Sequence, residues 1–393
     1  MKLDEIQAAL RNAGIDAWLF FDHHQRDPLA YHILGLPLTT HASRRWYYLV
    51  PASGEPVRLV HRIEAGNLDG VPGEKRLYSR WSEQKAELHR LLNGFRRVAM
   101  QYSPDCAVPY ISMVDAGTLE LVRAAGVEVV TSADLVQIFQ ATLSEEQRAS
   151  HFEAGVKMDA IRKAAFDEIG RRLSAGRPTD EWAIHCFVRQ AYDREGLVSP
   201  DGPIVGVNAN ASNPHYEPTG ARSASIRKGD LVLIDMWSKL STPAAVFYDI
   251  TWTGFCGAAP RPEMLKVFEV VRDARNAGIE RVKNGVASGE DLRGFHVDDA
   301  TRGHIVAQGY GEYFVHRTGH SIGTDVHGTG ANMDNFESHD ERRVLARTLF
   351  SIEPGVYLPD FGVRSEINMY VGEREAVVTG EMQTELVRID CGV

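Results

Sequence analysis

Between residues 145 and 371 the chain runs twice through one order of elements, and that repetition constrains the fold more than any single motif does. Residues 145 to 195 read as a long helix, a turn "SAGRPTDE" and a second helix; residues 262 to 308 read as a long helix, "KNGVASGED" and another helix. Each pair leads into apolar runs of strand length. After the first come "DLVLIDMW" (230 to 237) and "AVFYDITWTG" (245 to 254); after the second come "TLFSIEPGVYL" (348 to 358) and "GVRSEINMYV" (362 to 371). The order predicts an α+β domain with an internal pseudo-twofold duplication. Its first helix starts near Ser144, which has capping-box spacing to Gln147, and Gly176 supplies a stop. The preceding stretch alternates β-rich runs ("AWLFF", "WYYLV", "VRLV", "VAM", "VEVV") with helical stretches at 2 to 13 and 82 to 93. That alternation predicts a small α/β domain with a mostly parallel or mixed sheet. A chain of 393 residues exceeds what one core usually supports, so two domains are expected, 1–140 and 141–393.

Each of the four runs carries one carboxylate among large apolar residues: Asp235 after "LVLI", Asp249 after "VFY", Glu353 after "FSI", Glu366 before "INMYV". An ionised acid in a buried strand is costly unless something positive compensates it. Asp235 and Asp249 are 14 residues apart and Glu353 and Glu366 are 13 apart, a hairpin's distance in each half. For any one of these acids, a strand end facing water is an ordinary explanation. Four in matching places call for a common cause, and two divalent cations would balance their charges one for one.

The segment "FVHRTGHSIGTDVHG" (314 to 328) sets His316, His320 and His327 among glycines. On a helix the three would share a face, but Gly319, Gly323 and Gly328 with interspersed β-branched residues argue for strand and turn. The glutamate of HExxH is missing, so a helical zinc protease motif has no support. In an extended chain His320 and His327 point to opposite faces. Convergence therefore needs a bend, which Gly323 can supply. One imidazole would then complete a metal cluster while another reaches a substrate. His215, in the polar loop "GVNANASNPHYEPTG", is a further candidate donor to substrate.

Composition narrows the function classes. A net charge of -10 and a pI near 5.9 repel nucleic acid and anionic membrane. Four scattered cysteines form no CxxC pair, which argues against a disulfide framework and fits a reducing compartment. The amino terminus has acidic residues where a signal peptide needs a basic start, and no run approaches the roughly 18 apolar residues of a membrane span. A cytoplasmic protein is expected.

The ordered landmarks "NPHY", "LVLID", "YDITWTG", "GHSIGTDVHG", "FSIEPGVY" and "GVRSE" resemble those of the pita-bread metallopeptidases, the creatinase, aminopeptidase P and prolidase group. The resemblance spans roughly residues 145 to 385 and is strongest to the Xaa-Pro dipeptidases; the leading domain is similar to that of the proline-specific members. It implies five metal ligands: Asp249 and Glu366 bridging two ions, Asp235 on one, His320 and Glu353 on the other. It implies that His215 and His327 assist at the scissile amide, and that His316, Tyr357 and Arg364 lie on the substrate side. Oxygen-rich coordination with one imidazole and no thiolate suits Mn(II) first, with Co(II), Zn(II) or Fe(II) compatible. Two such ions would activate a bridging water and polarise the scissile carbonyl, with Glu353 moving the proton. The expected activity is hydrolysis of short Xaa-Pro peptides as a dipeptidase, by a homodimer.

The chain departs from the family pattern in four places. The spacing between the two aspartates is longer than usual, Trp252 stands where many relatives have arginine, His327 is followed by "GTG", and Asn368 replaces an acid. Aminopeptidase P activity is the nearest alternative. Amidine hydrolysis on the creatinase fold, or a scaffold role, would not need the full ligand set. Methionine aminopeptidase activity does not need the leading domain.

Overall fold

The computed structural model describes residues 2–392. The chain divides into two compact units, Met1–Gln140 and Ala141–Val393.

The first unit runs α1 (Leu3–Ala13), β1 (Ala17–Asp22), α2 (Pro28–Leu34), β2 (Trp46–Pro51), β3 (Val57–His61), β4 (Glu74–Tyr78), α3 (Trp81–Leu92), β5 (Arg97–Met100), α4 (Ala116–Arg123), β6 (Glu128–Thr131) and α5 (Ala133–Gln140). Its six strands form one mixed sheet in the order β4-β3-β2-β1-β5-β6. Every residue of β1 is buried, and alternate side chains feed separate cores: Trp18 and Phe20 on one side, Ala17, Leu19 and Phe21 on the other. A sheet covered on both faces explains why "AWLFF" reads as an unbroken apolar run. Sequence patterning missed β4, "EKRLY", an edge strand whose charged side chains carry no apolar signal.

The second unit opens with α6 (Glu145–Ser174), capped as expected: Gln147 N–H donates to Ser144 Oγ at 3.2 Å and Ser144 N–H to Gln147 Oε1 at 3.0 Å. It continues through α7 (Glu181–Glu195), β7 (Leu197–Val198), β8 (Ile204–Val207), β9 (Leu231–Leu240), β10 (Tyr248–Cys256), α8 (Pro262–Ser288), α9 (Gly294–Ala307), β11 (Leu349–Ile352), β12 (Gly355–Tyr357), β13 (Gly362–Arg364), β14 (Ile367–Val371), β15 (Ala376–Val378) and β16 (Val387–Ile389). One sheet runs β16-β10-β9-β7 with β8 also on β9; a second runs β11-β14-β15; β12 and β13 pair separately.

One expectation fails here. Glu353 and Glu366 were expected inside continuous strands, but both lie in a shared gap, between β11 and β12 on one side and β13 and β14 on the other. Pro354 has no N–H to continue the ladder. The backbone at the gap bonds elsewhere: Glu353 N–H donates to Thr318 O at 2.7 Å and Glu366 N–H to Thr251 O at 3.0 Å.

Candidate metal centre

The first pair of acids comes from one uninterrupted ladder. In the β9/β10 hairpin Asp235 stands opposite Thr251 and Asp249 opposite Trp237. Side chains alternate across a strand, so 235, 237, 249 and 251 share a face. Ser238, whose hydroxyl donates to Met158 Sδ on α6, marks the opposite face.

The histidine segment arrives from the other side. Residues 318 to 322 run extended along β11: besides the Glu353 bond, Ser351 N–H donates to His320 O at 2.9 Å and Ile322 N–H to Leu349 O at 2.8 Å. So close an approach requires glycine at 319, where a Cβ would lie 2.0 Å from Ser351 O. The chain then bends through 323–327 and returns, Gly328 N–H donating to Ser321 O at 2.6 Å. The bend sets the His320 and His327 rings 4.4 Å apart at 84°.

Asp249, His320 and Glu366 thus converge, each offering a ligand atom within 4.8 Å of the others. His320 Nε2 also lies 3.3 Å from Glu353 Oε1. Asp235 meets this group from beside it, with its Oδ2 accepting from Arg364 Nη2. Arg364 donates further to Thr251 Oγ1 at 3.0 Å and Tyr357 OH at 3.1 Å, and that hydroxyl is 2.6 Å from His316 Nε2. His215 lies on an exposed loop, its N–H donating to Asn213 Oδ1 at 3.1 Å, near enough to His327 to weigh slightly against protonation of that ring.

Sequence reasoning missed how the acids are held, and noted Asn368 only as the replacement of an acid. Thr251 Oγ1 donates to Glu366 Oε2 at 2.7 Å. Asn368 brackets Asp249, accepting its N–H at 3.0 Å and donating to its carbonyl. Ser351 Oγ accepts from His320 N–H at 2.9 Å and donates to Glu353 Oε1 at 3.0 Å. Arg275, fully buried on α8, donates to Ser365 Oγ at 2.7 Å and steadies the gap. The first three lie two residues from an acid, so a period-2 search for polar residues inside apolar strands would have found them.

The electrostatics set the acids apart. Burial first, then the Glu353 charge, drives the Asp249 carboxyl well above the ordinary carboxylate range. Burial, then Asp249 and Glu353, does the same to Glu366. Asp235 is pushed up to about 7 by burial, with Arg364 opposing. Glu353 moves the other way: burial raises it, but His320, His316 and Arg364 outweigh that and keep it below its usual value. Burial lowers His316 and His320, and lowers His327 with help from His320 and Arg317, so all three rings favour the neutral form.

These residues fit a divalent cation. Asp249 Oδ1 is buried and takes no hydrogen bond from any described residue, an arrangement that is costly for an acid with no further partner. Beside it stand a second buried carboxylate and a neutral imidazole, the oxygen-rich donor set that first-row divalent metals accept.

The model of metallopeptidase family M24 matches residues 153–373, over half of the chain and all of these side chains. The chain belongs to metallopeptidase family M24. An Xaa-Pro dipeptidase of Lactobacillus helveticus is 36% identical over 214 residues, 54% of this M24 chain and 52% of that relative. The shared stretch spans little more than half the length of the first such relatives, between 52% and 58%. Dipeptidase PepE from Mycobacterium ulcerans superposes with a TM-score of 0.64 at 23% identity, over 98% of this chain and 96% of that one. Prolidase from Pyrococcus horikoshii OT3 gives 0.60 at 22%, over 98% and 99%. Both likenesses establish a shared fold, the pita-bread fold of M24 enzymes. Among the described residues no helix is long and apolar enough to cross a membrane.

Proposed function

We propose that this M24 chain is a dinuclear metal-dependent Xaa-Pro dipeptidase. The observation that carries the reading is the convergence of Asp249, His320 and Glu366 around the unpartnered Asp249 Oδ1. Asp249 and Glu366 would be shared between two ions, with Asp235 completing one site and His320 and Glu353 the other. Mn(II) is favoured, and Co(II), Zn(II) and Fe(II) also suit the donors. When bound, the ions supply the hydroxide nucleophile and Lewis-acid polarisation of the scissile carbonyl.

The chain's own groups do the rest. Glu353, whose pKa is held low, is ionised at neutral pH and takes the proton of the attacking water, then passes it to the departing imino nitrogen. Neutral His327, and His215 from its loop, donate or accept hydrogen bonds at the amide. The buried Arg364 guanidinium, held charged, anchors the substrate carboxylate together with Tyr357 OH and His316. The same reading treats residues 141–393 as a duplicated pita-bread domain led by a separate domain, and the molecule as a cytoplasmic homodimer; four free cysteines are compatible with that location.

The test is to strip the protein with chelator, refill it with Mn(II) and compare Ala-Pro with Ala-Pro-Gly. Metal-dependent cleavage of the dipeptide supports the reading. Preference for the tripeptide moves it to aminopeptidase P-type activity, and activity indifferent to chelation rejects it.

A further inference from the structure

Trp237 belongs to none of the roles above, yet it stands on the metal-facing side of β9 as the cross-strand partner of Asp249. The indole is only partly buried, and it is fixed in two ways. Its Nε1 donates to Asp201 Oδ1 at 3.0 Å. Its six-membered ring lies over Gly202, where any Cβ would come within 2.6 Å of ring carbon and where φ is +67°. Glycine at 202 leaves room for the ring, and a larger residue would lift it.

A second apolar surface borders the same place. Val326 immediately precedes His327, and both Val326 and Trp237 pack against a cluster that includes Val246, Phe247 and Ile322. The β9/β10 hairpin ties this wall to the histidine segment. Phe247 N–H donates to Gly323 O at 3.0 Å, while Lys239 Nζ donates to Thr324 O at 2.6 Å and sits 4.9 Å above the Phe247 ring. The centre is also bordered, beside Asp235 and Thr251, by the polar, cationic row of His316, Tyr357 and Arg364. A site with one cationic border and one aromatic border orients a short peptide, carboxylate to the first and side chain to the second.

We infer that Trp237, with Val326, forms the subsite that receives the side chain of the substrate's N-terminal residue and selects bulky apolar residues there. The inference rests on the peptidase reading for its substrate class. It predicts that the Mn(II)-loaded wild type prefers Leu-Pro to Gly-Pro in kcat/KM by about tenfold or more, the scale on which apolar pockets discriminate. Trp237→Ala brings that ratio close to one, and Trp237→Phe, which keeps a ring, retains most of it. Binding is read separately in chelator-stripped protein: Leu-Pro quenches the fluorescence component that disappears in Trp237→Phe, and Gly-Pro does so far less. A ratio unchanged in Trp237→Ala, or an equal loss for both dipeptides, overturns the subsite. If the wild type cleaves neither dipeptide, the peptidase reading has failed, and the quenching comparison still decides whether Trp237 receives the side chain.

Discussion

The two strand pairs of the second unit deliver their acids by different means. Asp235 and Asp249 ride on the continuous β9/β10 ladder, so their shared face follows from strand alternation alone. Glu353 and Glu366 sit where both strands of the second hairpin break, and their places are set by backbone bonds to Thr318 and Thr251. The charge environments differ in parallel. Asp235 is met by the Arg364 guanidinium and Glu353 by His320, whereas Asp249 and Glu366 come together with His320 where burial and neighbouring acids outweigh the opposing Arg364 charge at both. A ladder can fix where a carboxylate stands; only an added cation can let two of them ionise side by side.

The largest effect is expected at Asp249 and Glu366. Asp249→Asn or Glu366→Gln should abolish metal retention, read as metal content after dialysis, and lower kcat/KM by about 1,000-fold or more, the combined scale of lost Lewis-acid and electrostatic stabilisation. Next, Glu353→Gln should keep much of the metal while kcat falls about 100-fold or more, the usual worth of a general base; a Glu353→Gln rate equal to wild type would remove it from proton transfer. Third, Thr251→Val on the ladder and Ser351→Ala at the gap should each weaken metal binding by about 10- to 100-fold, measured by competition with a chelator. An effect confined to one of them would show that one half alone sets the site.

The smallest effect concerns the hairpin's own anchoring. His151, fully buried on α6, bonds Phe247 O at 2.6 Å and Thr379 Oγ1 at 2.7 Å, and burial lowers its pKa to about 4 from an ordinary 6.5. The folded value lies below the unfolded one. Its contribution is therefore complete above about pH 6.5 and is lost as pH falls toward 4, on the order of 3 kcal/mol over that window. His151→Gln should flatten the fall in Tm between pH 6.5 and 4. An undiminished acid-side slope in that variant would assign the titration elsewhere.

The same contrast explains what the sequence disclosed. Asp235 and Asp249 were readable because an acid in an apolar strand has few explanations, and their common face needs only local alternation. The helix pairs were readable from their spacing, and the first sheet from "AWLFF" and its neighbours, whose burial on both sheet faces leaves an unbroken apolar signal. The gap at Glu353 was signalled by Pro354 alone, and its partners Thr318 and Thr251 lie far away in the chain, where no periodicity points to them. The pairing of Arg364 with Asp235 is likewise a contact across 129 residues. His215 was legible as a polar-loop histidine, but its exposed position gives no contact by which sequence could have ranked it.

Anomalous diffraction from crystals grown in Mn(II) would show whether the acids share a pair of ions. Two peaks about 3.5–4 Å apart, both touched by Asp249 and Glu366 and one of them by Asp235, are the predicted result. A single peak, or none, with Asp249 and Glu366 ligating nothing in common, would contradict the account.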